Sequence, residues 1–272
     1  MNWVLLRITF YRTRVMLGLC LALVLAFEWF YVHVMNVIQE QIGILGILTI
    51  LPKGLQKVMG AEQIDMTSPL GMLSLGYVHP LPWTALLTWI ISRSSDAMAG
   101  EVERGTMDLL LAQPVARIRV VLTHLVVICT GVALIGSAMW LGTYLGALTF
   151  VDPARRFSVW PFWRAAASVF WIGWCVGGYS FLASSLNRYR WRAVAVAVSI
   201  TFVQELLNVI GSFWEPVEWV RRFSIAGNCE LQRFLHDPNL MYEQWGTLAI
   251  AGLACHLAAG TIFCRRDLPA AV

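Results

Sequence analysis

The chain has 272 residues, of which 58% are hydrophobic and only 13% charged, with a mean hydropathy of +0.65. Soluble domains run at about 45–50% apolar and 25% charged, so this chain lacks the polar surface to cover itself in water and needs lipid. Its formal charge of +4 is too slight to suggest nucleic acid, and its six cysteines contain no C-x-x-C pair that would support zinc or redox chemistry.

Runs of about 20 apolar residues cross a bilayer core of roughly 30 Å, and the sequence holds six. Ahead of the first, residues 1–14 set Arg7, Arg12 and Arg14 around Trp3, Leu5, Leu6, Ile8 and Phe10, the pattern of a short helix lying along the inner leaflet. The first span, Val15–Met35, carries Glu28 and is too long for the core of a cleaved signal. Gln41–Leu51 is too short to span and reads as an interfacial helix or a re-entrant turn. A crossing there would add a seventh span. The second span is Pro69–Ile91, where His79 beside Pro80 and Pro82 marks a kink. The third, Val120–Phe150, exceeds the bilayer and is expected to tilt or to extend beyond it. Ala165–Leu186 and Ala193–Phe213 follow, joined by the tight basic turn Asn187–Arg192. In the segment 214–244, Trp214 and Trp219, with Trp245 just beyond, match an aromatic belt ahead of the last span, Trp245–Cys264. The expected fold is therefore an all-α integral membrane protein: one domain over residues 1–272, with six spans and an N-terminal interfacial helix.

Basic residues set the orientation. With the N-terminus inside, 12 of the 20 bases fall on the inner side, clustered at span ends, and 8 fall outside. Both termini are then cytoplasmic, in a cell's inner membrane. Glu28 and Glu205 lie within spans, where a carboxylate costs about 2.5–3.5 kcal/mol on insertion scales. Each lies about 20 Å from the inner end of its span at 1.5 Å per residue. Two readings stand open. They are structural acids near the outer interface, with Asn208 or Gln204 as local partners, or they line a transport pathway. The pairs Gly142/Gly146 and Gly173/Gly177 allow close helix approach, read first as internal packing and second as a dimer seam.

The inner loop between the second and third spans holds the most informative stretch, Ala99-Gly-Glu-Val-Glu-Arg-Gly-Thr-Met-Asp-Leu-Leu-Leu-Ala-Gln-Pro-Val-Ala-Arg117. Gly105 can break the helix that leaves the membrane, Thr106 can cap the next one, and Asp108 suits its first turn. Met107, Leu109, Leu110 and Leu111 give it an apolar side, and Pro114 stops it. Such a helix suits either a lipid surface or a groove on another protein.

This stretch resembles the segment that follows the second span in permease subunits of the type-two class of ABC exporters: an acidic pair, Gly-Thr, a leucine run and Pro-x-x-Arg. The six spans, the inner termini and the ending Phe263-Cys-Arg-Arg-Asp-Leu268 are also similar to that family. The resemblance implies that the loop is a coupling helix meeting a separate ATPase subunit, with Glu101, Glu103, Gly105 and Thr106 at the matching positions. It also implies a second permease subunit, a copy or a relative. Glu101 and Glu103 are then expected to pair with basic residues of the ATPase. The long segments 36–68 and 214–244 depart from the short outer loops of drug-exporting members, which leaves the substrate open.

No Gly-x-x-x-x-Gly-Lys-Ser/Thr occurs, so the chain has no phosphate-cradling loop of its own, and ATP would be used by a partner subunit. The five histidines are scattered, with no His-Glu-x-x-His pair and no Gly-x-Ser-x-Gly elbow; no metal, cofactor or catalytic residue is expected. The leading reading is a non-enzymatic permease of an ATP-driven exporter. The alternative is a membrane scaffold that binds an extracytoplasmic partner through 36–68 and 214–244.

Overall fold

The computed structural model describes residues 3–41, 69–113, 115–227 and 238–265. Residues 42–51 of the expected interfacial or re-entrant patch, together with Pro114 and the end of the family-like C-terminal motif, lie outside them. The described chain runs α1 (Trp3–Gln41), α2 (Pro69–Val78), α3 (Pro80–Ser95), a π-turn (Asp96–Gly100), α4 (Glu101–Glu103), α5 (Thr106–Leu111), α6 (Arg117–Phe150), α7 (Phe162–Leu186), α8 (Arg190–Phe213) and α9 (Pro238–Arg265). Among the described residues, five helices are long and apolar enough to cross a membrane: α1, α6, α7, α8 and α9.

The first helix departs from expectation. In place of a leaflet helix followed by a span, α1 is one rod of 39 residues, about 58 Å at 1.5 Å per residue. The reason lies in its buried stripe. Leu6, Thr9, Thr13, Leu17, Cys20, Val24, Glu28 and Val32 recur at steps of three or four and run through residue 14 without a break. No proline interrupts that stretch, and the arginines sit on the outward face, so nothing stops the helix there.

The second expected span is divided at His79. Pro80 and Pro82 each lack a backbone N–H and cannot continue a helical ladder. The freed groups find local substitutes: His79 N–H donates to Gly76 O (3.2 Å), Leu81 N–H to His79 Nδ1 (3.2 Å) and Trp83 Nε1–H to Tyr77 O (3.1 Å). The kink read from the sequence is a full break.

At the centre of the bundle, α7 packs against α3, α6, α8 and α9, while α1 lies along α6 and also touches α2 and α3. The interior is close-packed around Tyr77, Trp89, Ile135, Phe162 and Phe181. Small residues set the tightest approaches. A Cβ on Gly142 would stand 2.7 Å from Leu25 O, and one on Gly146 2.7 Å from Val32 Cβ, so both glycines seat α1 on α6. Gly173 and Gly177 face Ile90 of α3 and Val132 or Ile128 of α6. Internal packing is thus what these pairs serve. Trp160, Trp214, Trp219 and Tyr242 are exposed at one end of the bundle, as a belt requires.

Candidate functional site

Two polar constellations stand out against this apolar frame. The first lies at the arginine-rich end, where α3 leaves the bundle. A π-turn at Asp96–Gly100 widens the helix and takes amides out of the i→i−4 ladder. Ser184 of α7 supplies the replacement: its Oγ accepts from Met98 N–H (3.3 Å) and Ala99 N–H (3.0 Å) and donates to Ser95 O (2.9 Å). The turn also brings Asp96 over Gly100, where any side chain would collide with its carboxylate.

Asp96 then gathers three arginines. Arg93 Nη1 lies 3.0 Å from Oδ2, Arg104 Nη1 2.6 Å from Oδ1 and Arg190 Nε 3.7 Å from Oδ1. Burial alone raises the Asp96 carboxyl. The Arg104 hydrogen bond and the charges of Arg93, Arg104 and Arg190 outweigh it and hold the group below its ordinary value. Arg104 is correspondingly held above the ordinary arginine range, chiefly by its bond to Asp96. Arg104 also reaches Glu101 (Nη2–Oε1, 2.9 Å), and Arg12 of α1 joins the same oxygen at 3.2 Å. Arg190 adds a bond from Nη2 to Ser92 Oγ (2.8 Å), and its backbone N–H donates to Glu103 Oε2 (2.8 Å).

Each residue expected for coupling therefore has a definite place. Glu101 is 6% exposed and engaged by Arg12, Arg104 and the Thr106 hydroxyl, so it braces the loop from within. Glu103 is exposed and anchors the start of α8. Gly105 adopts a left-handed φ of 68°, a turn that costs any residue with a Cβ about 1–2 kcal/mol. Thr106 does not cap α5; that position belongs to Gly105, and the threonine hydroxyl turns back to Glu101. Met107 of α5 is buried, whereas Leu109 is 71% exposed.

The second constellation lies within the bundle, around Glu28. Its side chain is 1% exposed, wedged between α1, α2 and α6. Gly76 and Gly142 make the room: a Cβ on either would come within 2.9 Å of Glu28 atoms. Nearby, the Thr143 hydroxyl lies 3.1 Å from the Tyr77 hydroxyl and donates to Met139 O (3.2 Å), while Glu28 Oε1 has no partner. His79, at the helix break, packs its ring at a tilt of 30° against Phe27 (4.7 Å), one residue from the acid. A buried acid beside a broken helix is an arrangement that membrane proteins retain for moving solutes.

Glu205 has no share in this place. It is exposed on the outward side of α8, amid Phe202, Val203, Leu206 and Val209. Asn208 and Gln204, the partners expected for it, are used elsewhere: Asn208 Oδ1 accepts from Arg221 Nε (3.4 Å), and Gln204 Oε1 accepts from Ile225 N–H (3.2 Å). Sequence reasoning missed Asp96, Arg190 and Ser184, whose roles arise only when α3, α7 and α8 converge. It also missed Tyr77 and Thr143. Among the described residues, no group of three or more His, Cys, Asp or Glu side chains is placed to hold a metal ion.

The family model described as ABC-2 family transporter protein matches residues 8–216, which takes in both constellations. No curated protein matches the chain. The chain belongs to the ABC-2 transporter family and is a multi-pass membrane permease component of an ABC transporter.

Proposed function

From that membership we propose that the chain is the permease subunit of an ATP-driven exporter, paired with a second permease subunit and driven by a separate ABC ATPase. ATP is held by that partner; this chain conducts the substrate and hydrolyses nothing. The observation that carries the reading is α5. Met107 fastens it to the bundle while Leu109 stands outward, the form of an apolar ridge for a groove on a partner. The ionic knot behind it ties the loop to α1, α3 and α8, so force on the loop reaches three long elements together.

Leu109→Asp tests the joint. The side chain contributes nothing to the interior, so the variant is expected to reach the membrane at the parent's level. Burying a charge in the docking groove should reduce the co-purified ATPase subunit by roughly tenfold or more. An L109D chain that holds the ATPase as well as the parent means that the joint lies elsewhere.

The same reading places the chain in the inner membrane with both termini cytoplasmic, α2 and α3 together making one of six crossings. A reporter active only outside the cytoplasm should be silent when fused after Val272 and active when fused near Gly227. Signal after Val272 would require an odd number of crossings. Glu28, at the broken helix, belongs to the substrate path. Glu205 belongs to the seam with the second permease subunit, because an acid facing lipid there costs about 2.5–3.5 kcal/mol that a protein neighbour relieves.

A further inference from the structure

At the belt end of the bundle, away from the ionic knot, α6 and the strand of chain that follows it enclose a groove of about 360 Å³. This volume lies at the lower end of the range for small-molecule sites, about 300–1,000 Å³. Its walls are Trp140, Tyr144 and Leu148 on one side and Phe157 and Trp160 on the other, with Arg156 at its rim. The walls are fixed in place. Trp140 Nε1–H donates to Val159 O (3.2 Å), holding the return strand against α6, and the Trp140 and Tyr144 rings stack at 5.8 Å and 11°. Tyr144, Leu148 and Trp160 remain exposed, so the groove opens sideways from the bundle.

Arg156 gives the groove its polarity. Its Nη2 donates to Leu148 O (2.8 Å) and its Nε to Val151 O (3.4 Å), capping the end of α6. A guanidinium carries five N–H donors, so three remain. Among the described residues no carboxylate pairs with it, and its charge is met only by carbonyl dipoles. An apolar slot at belt depth with an unneutralised cation at its mouth is complementary to one kind of occupant. We propose that the groove binds an anionic phospholipid, an acyl chain lying against Trp140, Tyr144 and Phe157 and the headgroup phosphate on Arg156. A free phosphate would gain only the charge contact and leave the aromatic walls uncovered. The proposal rests on α6 and α7 crossing the bilayer but not on ATPase coupling, so its failure leaves the transporter reading untouched.

The test is lipid retention by the full chain, purified in mild detergent and observed by native mass spectrometry. Dioleoylphosphatidylglycerol and dioleoylphosphatidylcholine are titrated in parallel, with inorganic phosphate as competitor. Both lipids carry a phosphate, but the choline cation offsets it in phosphatidylcholine, so the parent should retain phosphatidylglycerol roughly tenfold more strongly. Arg156→Ala should erase that preference, and Arg156→Lys should keep most of it. Leu148→Trp, which fills the groove without touching the backbone cap, should lower retention of both lipids. Equal retention of the two lipids by the parent, an unchanged preference in R156A, or unchanged retention in L148W overturns the proposal. Displacement of the lipid by millimolar phosphate also overturns it, as the mark of a free-anion site.

Discussion

Asp96→Ala is expected to cost about 3 kcal/mol of stability, the scale for removing one partner from a buried ion pair. Arg93 sets that cost. It is 9% exposed, its Nε has no hydrogen-bond partner, and Asp96 is the carboxylate that offsets its burial. Arg104→Ala removes a more exposed partner of the same cluster and should cost under about 1 kcal/mol. Thermal melts of both variants in mild detergent give the comparison. An Asp96→Ala chain that melts no lower than Arg104→Ala would sink the view that the knot is anchored on this carboxylate. Acid gives an independent reading. The folded Asp96 carboxyl is held below its ordinary value of 3.8, so its contribution is complete above that value. The contribution is lost as pH falls through the depressed folded value. The parent should therefore lose melting temperature at the acid end more steeply than Asp96→Asn does.

Glu28→Gln is the second large effect. Glutamine keeps the volume between Gly76 and Gly142 and the capacity to hydrogen-bond, while the charge is gone. Because a desolvated acid is costly to retain, the variant should reach the membrane at least as well as the parent. Its turnover should fall about tenfold or more, equal to about 1.4 kcal/mol in the barrier. Phosphate release by the assembled complex measures that turnover. Glu205→Gln should leave turnover within about twofold of the parent and weaken association of the two permease subunits. If the two variants lose turnover equally, the acids act together and the division between path and seam is wrong.

Much of the frame was legible in the sequence. Long helices end near the edges of the apolar runs, because length and hydropathy alone select a bilayer span. The break at His79 follows from two prolines that cannot donate, and Gly142 and Gly146 pack inward as small residues at that spacing do. What escaped depends on partners distant in the chain. Arg12 and Glu101 are 89 positions apart, so Arg12 read as an anchor at the leaflet and Glu101 as a residue waiting for another protein. In the folded chain the two pair with each other. Thr106 likewise has the chemistry of a helix cap, but the left-handed turn at Gly105 takes that position and leaves the hydroxyl for Glu101. Glu28 and Glu205 are alike in type and depth. They differ in which face of the helix each occupies, and the signal that separates them is a pair of glycines on other helices.

The seating of α1 on Gly142 and Gly146 makes that part of the helix a clamped rod. Leu25 O and the Glu28 Cβ meet the first glycine, and Trp29 O and Val32 the second, so α1 is gripped on both sides of the acid. Arg12, bound to the loop, lies 13 residues before Leu25, about 20 Å along the same rod. Gripped at two points, α1 cannot tilt about either one without forcing the other contact apart, so displacement at the loop reaches Glu28 as a slide or a turn of the helix. A slide of about 1 Å is already the difference between a hydrogen bond made and one broken.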